Sequence, residues 1–302
     1  VFAPTASFNM YTPAFYEKYL HDMLLEQKTL GGSVPHVVPD ILDQIQLGIQ
    51  KQAFPTHHGS CGWGDAAIGI PWTMYEFYGD KEMLARQYEN MKLWTDWIRS
   101  QVKAHCPGRN LWLCGFHFAD WLALDNPVQG SSFGGTDPHY VASAYYYNAA
   151  KTVSLAAQAL GYAEDAAEYA ILSEEIKEAF REEYFTPTGR IAQPTQTAMV
   201  LALSMHLAPE KDRERLKADL REKLRARNDH LDTGFVGTYH LCPTLSKNGM
   251  SDVAYTLLLN EDFPSWLYEV NMGATTVWER WNSVLPDGLV SDTGMNSMNH
   301  YA

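Results

Sequence analysis

The sequence predicts an all-α fold in which helices buried on nearly every side alternate with helices charged along one face. Three observations predict it. Apolar residues recur at helical spacings of three and four along most of the chain. Runs of period two are few, so no series of strands is expected. An irregular segment rich in Gly, Pro, Asp and Trp precedes each buried helix. Helix pairs of this kind can close into a double ring. The inner helices then touch both the outer layer and the central core, and the loops at one end of the inner ring converge on a cavity. That arrangement places 57–65, 110–139, 186–197, 233–244 and 264–300 around one cleft.

Along the chain, Thr12-Pro13 reads as an N-cap and first helical position, opening a helix that runs to about Lys28. Residues 31–62 are irregular, with a short helix read over Ile41 to Gln52. Asp65 to Tyr78 is apolar on nearly all sides and so reads as buried, with Pro71 as a possible kink. After Gly79-Asp80, the residues Leu84, Tyr88, Met91, Thr95, Ile98 and Val102 form one apolar stripe, opposite Lys81, Glu82, Arg86, Glu89 and Lys92. The alternation then repeats. Tyr140 to Leu160 is apolar, and Glu164 to Tyr184 is charged on one side. Gln196 to Leu207 is apolar, and Pro209 to Arg227 offers only Leu216, Leu220 and Leu224 to a core.

Composition narrows the function. The 302 residues carry a net charge of −13, which repels phosphate backbones and anionic membranes, so no nucleic acid and no membrane partner is expected. No apolar run reaches the ~18 residues of a membrane-spanning helix. An acidic chain with 9 Trp, 17 Tyr and 12 Phe suits a sugar-binding cleft, where rings stack on apolar sugar faces and carboxylates take the hydroxyls. Cys61, Cys106, Cys114 and Cys242 form no CxxC pair and read as free thiols. His57-His58 lacks an evident third ligand, so no metal and no cofactor is expected. The chain begins at Val1 and ends abruptly at Ala302, and both ends read as lying inside a fold; the compartment is left open, with a lean to the cytoplasm.

Four constellations can carry chemistry. In Cys61-Gly62-Trp63-Gly64-Asp65, Trp63 between two glycines suits a cleft wall, and Asp65 either caps the next helix or faces the cleft. In Phe118-Ala119-Asp120-Trp121, a carboxylate again abuts a Trp in a loop. Gly273 to Trp281 sets Glu279 beside Trp278 and close to Trp281, a setting for a general base; the plainer reading is a Glu279–Arg280 ion pair in a helix cap. Met295-Asn296-Ser297-Met298-Asn299-His300 is dense in hydrogen-bonding groups. There is no Gly-rich phosphate loop and no GxSxG.

Five segments together resemble the catalytic domain of family 78 bacterial α-L-rhamnosidases: Val1 to Met10 (VFAPTASFNM), Gly31 to Pro39 (GGSVPHVVP), Gly62 to Ala66 (GWGDA), Ala274 to Trp281 (ATTVWERW) and Met295 to Ala302 (MNSMNHYA). The resemblance spans essentially the whole chain with the order preserved. It implies an (α/α)6 barrel, a six-hairpin toroid, of which 1–302 is one partial catalytic domain. It implies hydrolysis of terminal α-L-rhamnosyl residues from a rhamnose-containing glycoside or polysaccharide with inversion, and accessory β-sandwich domains in the full-length protein. It makes Glu279 the general base and His300 and Trp63 sugar contacts, with Trp278, Asp65, Asp120 and Trp121 near the cleft. The family's general acid lies on an Asp/Arg/Glu-rich motif just upstream of the VFAPTASFN segment, so it is expected before Val1, and the last barrel helix after Ala302. An inverting enzyme needs both acid and base, about 6.5–9.5 Å apart, so the isolated chain is expected to be inactive. Within this chain Asp65 is the nearest substitute for the acid. Two other readings stay open: a trehalase-like or glucoamylase-like inverting enzyme on the same barrel, and a sugar-binding fragment without catalysis.

Overall fold

The computed structural model describes residues 2–45, 56–128 and 130–300. Among the described residues the regular structure is helical; pairing of strand type is confined to the isolated bridges Pro35–His58, Phe185–Ile191 and Val284–Val290. The contacts divide the chain into two compact units. One comprises Ala3–Ala119 and Pro138–Glu183, the other Val1–Phe2, Asp120–Asp137 and Tyr184–Ala302.

The first unit holds α1 (Ala3–Asn9), α2 (Pro13–Thr29), α3 (Leu42–Ile45), α4 (Ala66–Tyr78), α5 (Lys81–His105), α6 (Pro138–Leu160) and α7 (Ala163–Tyr184). α2 starts at Pro13, but Thr12 does not cap it; its hydroxyl meets Ser7 Oγ at 3.0 Å and the Tyr78 hydroxyl at 3.3 Å instead. The short helix read over Ile41 to Gln52 is present as α3, and 46–52 lies outside the described residues. α4 passes through Pro71 without ending there, and Gly79, left-handed at φ 66°, closes it. Asp80 caps α5, accepting the Met83 N–H at 2.9 Å. The stripe from Leu84 to Val102 is buried as its spacing predicts. α6 buries fourteen of its 23 residues, many of them Ala or Ser, so neighbouring helices can approach closely.

The second unit holds α8 (Gln196–Ser204), α9 (Arg213–Arg225), α10 (Phe235–Lys247), α11 (Ser251–Leu259) and α12 (Trp266–Asn271). Thr195 caps α8, and every residue from Gln196 to Leu203 is buried. The helix stops short of the expected Leu207 because His206 takes a positive φ of 58°. α9 follows a 3₁₀ turn at Glu210–Asp212 and buries Leu216, Leu220 and Leu224, as its sequence predicts. One expectation needs correction. Residues 233–244 do not form a loop: from Phe235 onward they are helical, with Pro243 accommodated inside. Among the described residues no helix is long and apolar enough to cross a membrane.

Candidate active site

In the second unit the site is built outward from Asp120. This carboxylate is fully buried. Oδ1 accepts the N–H groups of Val236 at 3.1 Å and Gly237 at 2.8 Å; Oδ2 accepts the Gly234 N–H at 3.0 Å and the Thr197 hydroxyl. It thereby satisfies the orphan amides of the α10 N-terminus, which has no local side-chain cap. Burial pushes the Asp120 carboxyl up to about 6, while these donors pull it back down. Asp120, expected near the cleft, has both oxygens committed to the protein and holds Gly234, Val236 and Gly237 in place. Trp121, buried, contributes its carbonyl to the Phe235 N–H at 3.0 Å and sets its ring edge-on to Phe133.

Beside this anchor opens a cavity with an interior volume of about 30 Å³, room for a water or two. Phe235, Trp266, Trp278 and Trp281 wall it, and Glu269 and Glu279 are its two acids. Trp266 and Trp281 meet edge to face at 5.3 Å, and the Trp281 indole N–H donates to the Thr233 carbonyl at 2.9 Å. The stretch bearing Glu279 is irregular rather than a helix cap. It is clamped against 297–300. The Glu279 N–H donates to the Ser297 carbonyl at 2.9 Å, and the Ser297 N–H donates back to Glu279 Oε2 at 3.0 Å. The His300 N–H donates to the Val277 carbonyl at 2.8 Å, and its ring stacks on Phe235 at 5.4 Å. So the structure brings Trp278, Glu279 and His300 into one neighbourhood.

Arg280 does not pair with Glu279. It is buried, and its Nη1 donates to Thr293 Oγ1 at 2.7 Å and the Gly294 carbonyl at 3.2 Å. Burial lowers its affinity for a proton, and the nearby Glu279 charge opposes this. Glu279 is half-buried with its rotamer fixed by an amide, a geometry in which one carboxylate oxygen can take a proton from water.

Sequence reasoning missed Glu269. It lies on α12, is 5% exposed, and burial pushes its carboxyl up to about 7 against the Trp278 N–H. The available signal was an acid one residue after Tyr268 and three after Trp266, ahead of the motif that drew attention.

In the first unit, Trp63 sits half-buried on the turn that leads into α4, its ring 4.6 Å from that of Phe118. The Phe118 N–H donates to Ser60 Oγ at 3.1 Å, and the Cys61 N–H to His117 Nδ1 at 3.2 Å, so 60–63 and 117–118 are held together. Asp65 occupies the N-cap position of α4 without capping it. Its carboxylate turns back to accept the Gly62 N–H at 2.8 Å and the Trp94 indole N–H at 3.1 Å. Burial pushes it up to about 7. A carboxyl so enclosed supports the turn under Trp63. His57 and His58 are engaged by Asp40 at 2.6 Å and Ser33 at 2.8 Å. Among the described residues no three metal-ligating side chains converge. All four cysteines are free thiols.

Comparison with known proteins follows the same lines. The family model for the bacterial alpha-L-rhamnosidase 6 hairpin glycosidase domain matches residues 1–302. An alpha-L-rhamnosidase of Formosa agariphila is 36% identical over 306 residues, covering all of this chain and 31% of its own length. One of Streptomyces avermitilis is also 36% identical, with 26% of its length covered. Among solved structures, the Streptomyces avermitilis α-L-rhamnosidase complexed with L-rhamnose superposes with a TM-score of 0.84 at 34% identity, covering all of this chain and 26% of that one. The native Aspergillus terreus enzyme gives 0.84 at 31% identity, with 99% and 34% covered. The chain thus spans about a quarter to a third of the length of the relatives it matches.

Proposed function

This chain belongs to the family of bacterial α-L-rhamnosidase six-hairpin glycosidase domains, and we propose that the protein carrying it hydrolyses terminal α-L-rhamnosyl residues from glycosides with inversion of configuration. The whole of 1–302 is read as part of one catalytic domain, because the family match runs unbroken across both units. The observation that carries the proposal is Glu279, aimed by the Ser297 N–H at the edge of a tryptophan-walled cavity large enough for water. Glu279 takes a proton from that water as its oxygen attacks the anomeric carbon. The glycosidic C–O bond breaks, and the departing oxygen receives a proton from a second carboxylic acid carried elsewhere in the longer protein. Trp278 and His300 supply stacking and hydrogen-bonding surface for the sugar, and the family resemblance makes Trp63 a further sugar contact. Asp65 holds the turn that carries Trp63; Asp120 and Trp121 hold Gly234 and Phe235, on whose ring that of His300 stacks. The remaining length of the protein holds accessory β-sandwich domains.

The test uses the full-length protein. Glu279→Gln keeps the shape and removes the proton acceptor, so kcat should fall about 10²–10⁴-fold with little change in KM. Proton NMR of the wild-type reaction should show β-L-rhamnose before mutarotation. A panel of nitrophenyl glycosides in which a glucoside outpaces the α-L-rhamnoside would defeat the substrate assignment. Wild-type turnover by Glu279→Gln would remove Glu279 from the mechanism.

A further inference from the structure

The cavity holds a second carboxylic acid to which the reading of Glu279 as base gives no task. Glu269 lies on the six-residue helix α12, whose rotation is set at both sides of it. Ser265 Oγ accepts the Tyr268 N–H at 3.0 Å, and the Tyr268 hydroxyl donates to the Val284 carbonyl at 2.9 Å. Glu269 is thereby turned into the cavity rather than toward solvent. Its polar contacts run to the main chain of the loop that bears Glu279. Its carbonyl accepts the Ala274 N–H at 2.9 Å, and its Oε2 accepts the Trp278 N–H at 3.4 Å. One residue therefore grips this loop twice, the second time at the residue immediately before Glu279. On the other side Ser297 binds both the N–H and the carboxylate of Glu279. The dipeptide Trp278-Glu279 is held between these two grips. A methionine would fill the same space without the desolvation cost of a buried acid, so packing alone does not account for Glu269.

We propose that Glu269 is the positioning residue of the base: its carboxyl holds the Trp278 amide so that Glu279 faces the cavity the two acids share. The inference rests on the reading of Glu279 as general base. It differs from that reading in being testable on the main chain directly, without substrate.

The experiment compares full-length wild type, Glu269→Met and Glu269→Gln. Hydrogen–deuterium exchange is followed at the Trp278 amide, and turnover is followed on nitrophenyl α-L-rhamnoside. Removing the acceptor in Glu269→Met should speed exchange at Trp278 about 5-fold or more, the worth of one lost hydrogen bond. It should lower kcat about 10–100-fold with KM within about 2-fold, as expected when a catalytic group is displaced without loss of binding. Glu269→Gln keeps a carbonyl acceptor in the same place and should restore most of both. Unchanged Trp278 exchange in Glu269→Met would overturn the tether. Faster exchange with unchanged kcat would overturn the positioning role. A wild-type protein without turnover on any rhamnoside would defeat the reading of Glu279 and this role with it, and the exchange difference would tell that failure from a missing tether.

Discussion

Asp65 holds its proton to about pH 7 because burial outweighs the Gly62 and Trp94 donors, whereas its ordinary value is 3.8. Between those two values the folded chain binds a proton that the unfolded chain has released. Stability therefore falls as pH rises through about 4 to 7 and is level above it. Asp120, Asp232 and Glu269 are also raised and act in the same direction. Asp65→Asn removes one share: urea unfolding at pH 4.5 and 7.5 should differ less in the variant than in wild type, by up to a few kcal/mol. Equal pH dependence in both would mean that Asp65 is not a buried acid. Asp120 gives a different expectation. Ala there strands three amides and a hydroxyl in the interior, so a loss of about 3–5 kcal/mol is expected. Asn should be nearly as damaging, because its NH₂ would face donors. A sugar contact would instead weaken binding and leave the melting temperature unchanged. The place of Glu279 among tryptophans was legible because an acid beside Trp278 and Trp281 is visible in a short window of sequence. The roles of Asp120 and Asp65 were not, because their partners Val236 and Trp94 lie 116 and 29 residues along the chain.

The same distinction separates the helices. α5 and α9 repeat one environment every three or four residues, so their buried stripes could be read directly. α8 carried its own cap in Thr195. α10 was read as loop because its cap comes from Asp120 and its first turn contains Gly237 and its third Pro243. The glycine ahead of it is a matter of space. A Cβ on Gly234 would press on the Trp121 carbonyl oxygen and lie 2.7 Å from the Ala123 amide nitrogen and 2.8 Å from the Asp120 carbonyl oxygen. All three are main-chain atoms and cannot swing aside. Gly234→Ala should cost about 1–3 kcal/mol and shift the start of α10, with turnover reduced in the full-length protein. Gly69, exposed within α4 with nothing within 4 Å of its Cβ position, is the matched contrast. Gly69→Ala should stabilise by about 0.5–1 kcal/mol through helix propensity. Equal effects of opposite-site substitutions in thermal melts would refute the steric account.

Charge and apolar surface pull the chain in opposite directions. A net charge of −13 keeps copies apart at low ionic strength. Yet the first unit exposes Phe8 at 81%, Tyr11 at 83% and Phe15 at 68%. Phe8 contacts Phe77 and Tyr11 contacts Tyr78, ring edge to ring face, so these groups form a continuous surface rather than scattered side chains. The second unit exposes Tyr255 and Leu259 on α11. At about 25 cal/mol per Å², covering a few hundred Å² of such surface contributes several kcal/mol, comparable to weak association. Salt decides which term prevails. The Debye length shrinks from ~30 Å at 0.01 M to ~3 Å at 1 M, which removes the repulsion and leaves apolar burial intact. The 302-residue chain on its own should therefore sediment chiefly as monomer in 10 mM salt and shift to larger species as salt rises. Tyr11→Lys together with Phe15→Glu should suppress that shift at unchanged helix content. A chain that stays monomeric at high salt, or that dissociates as salt is added, would show that ion pairs rather than this aromatic surface govern its association.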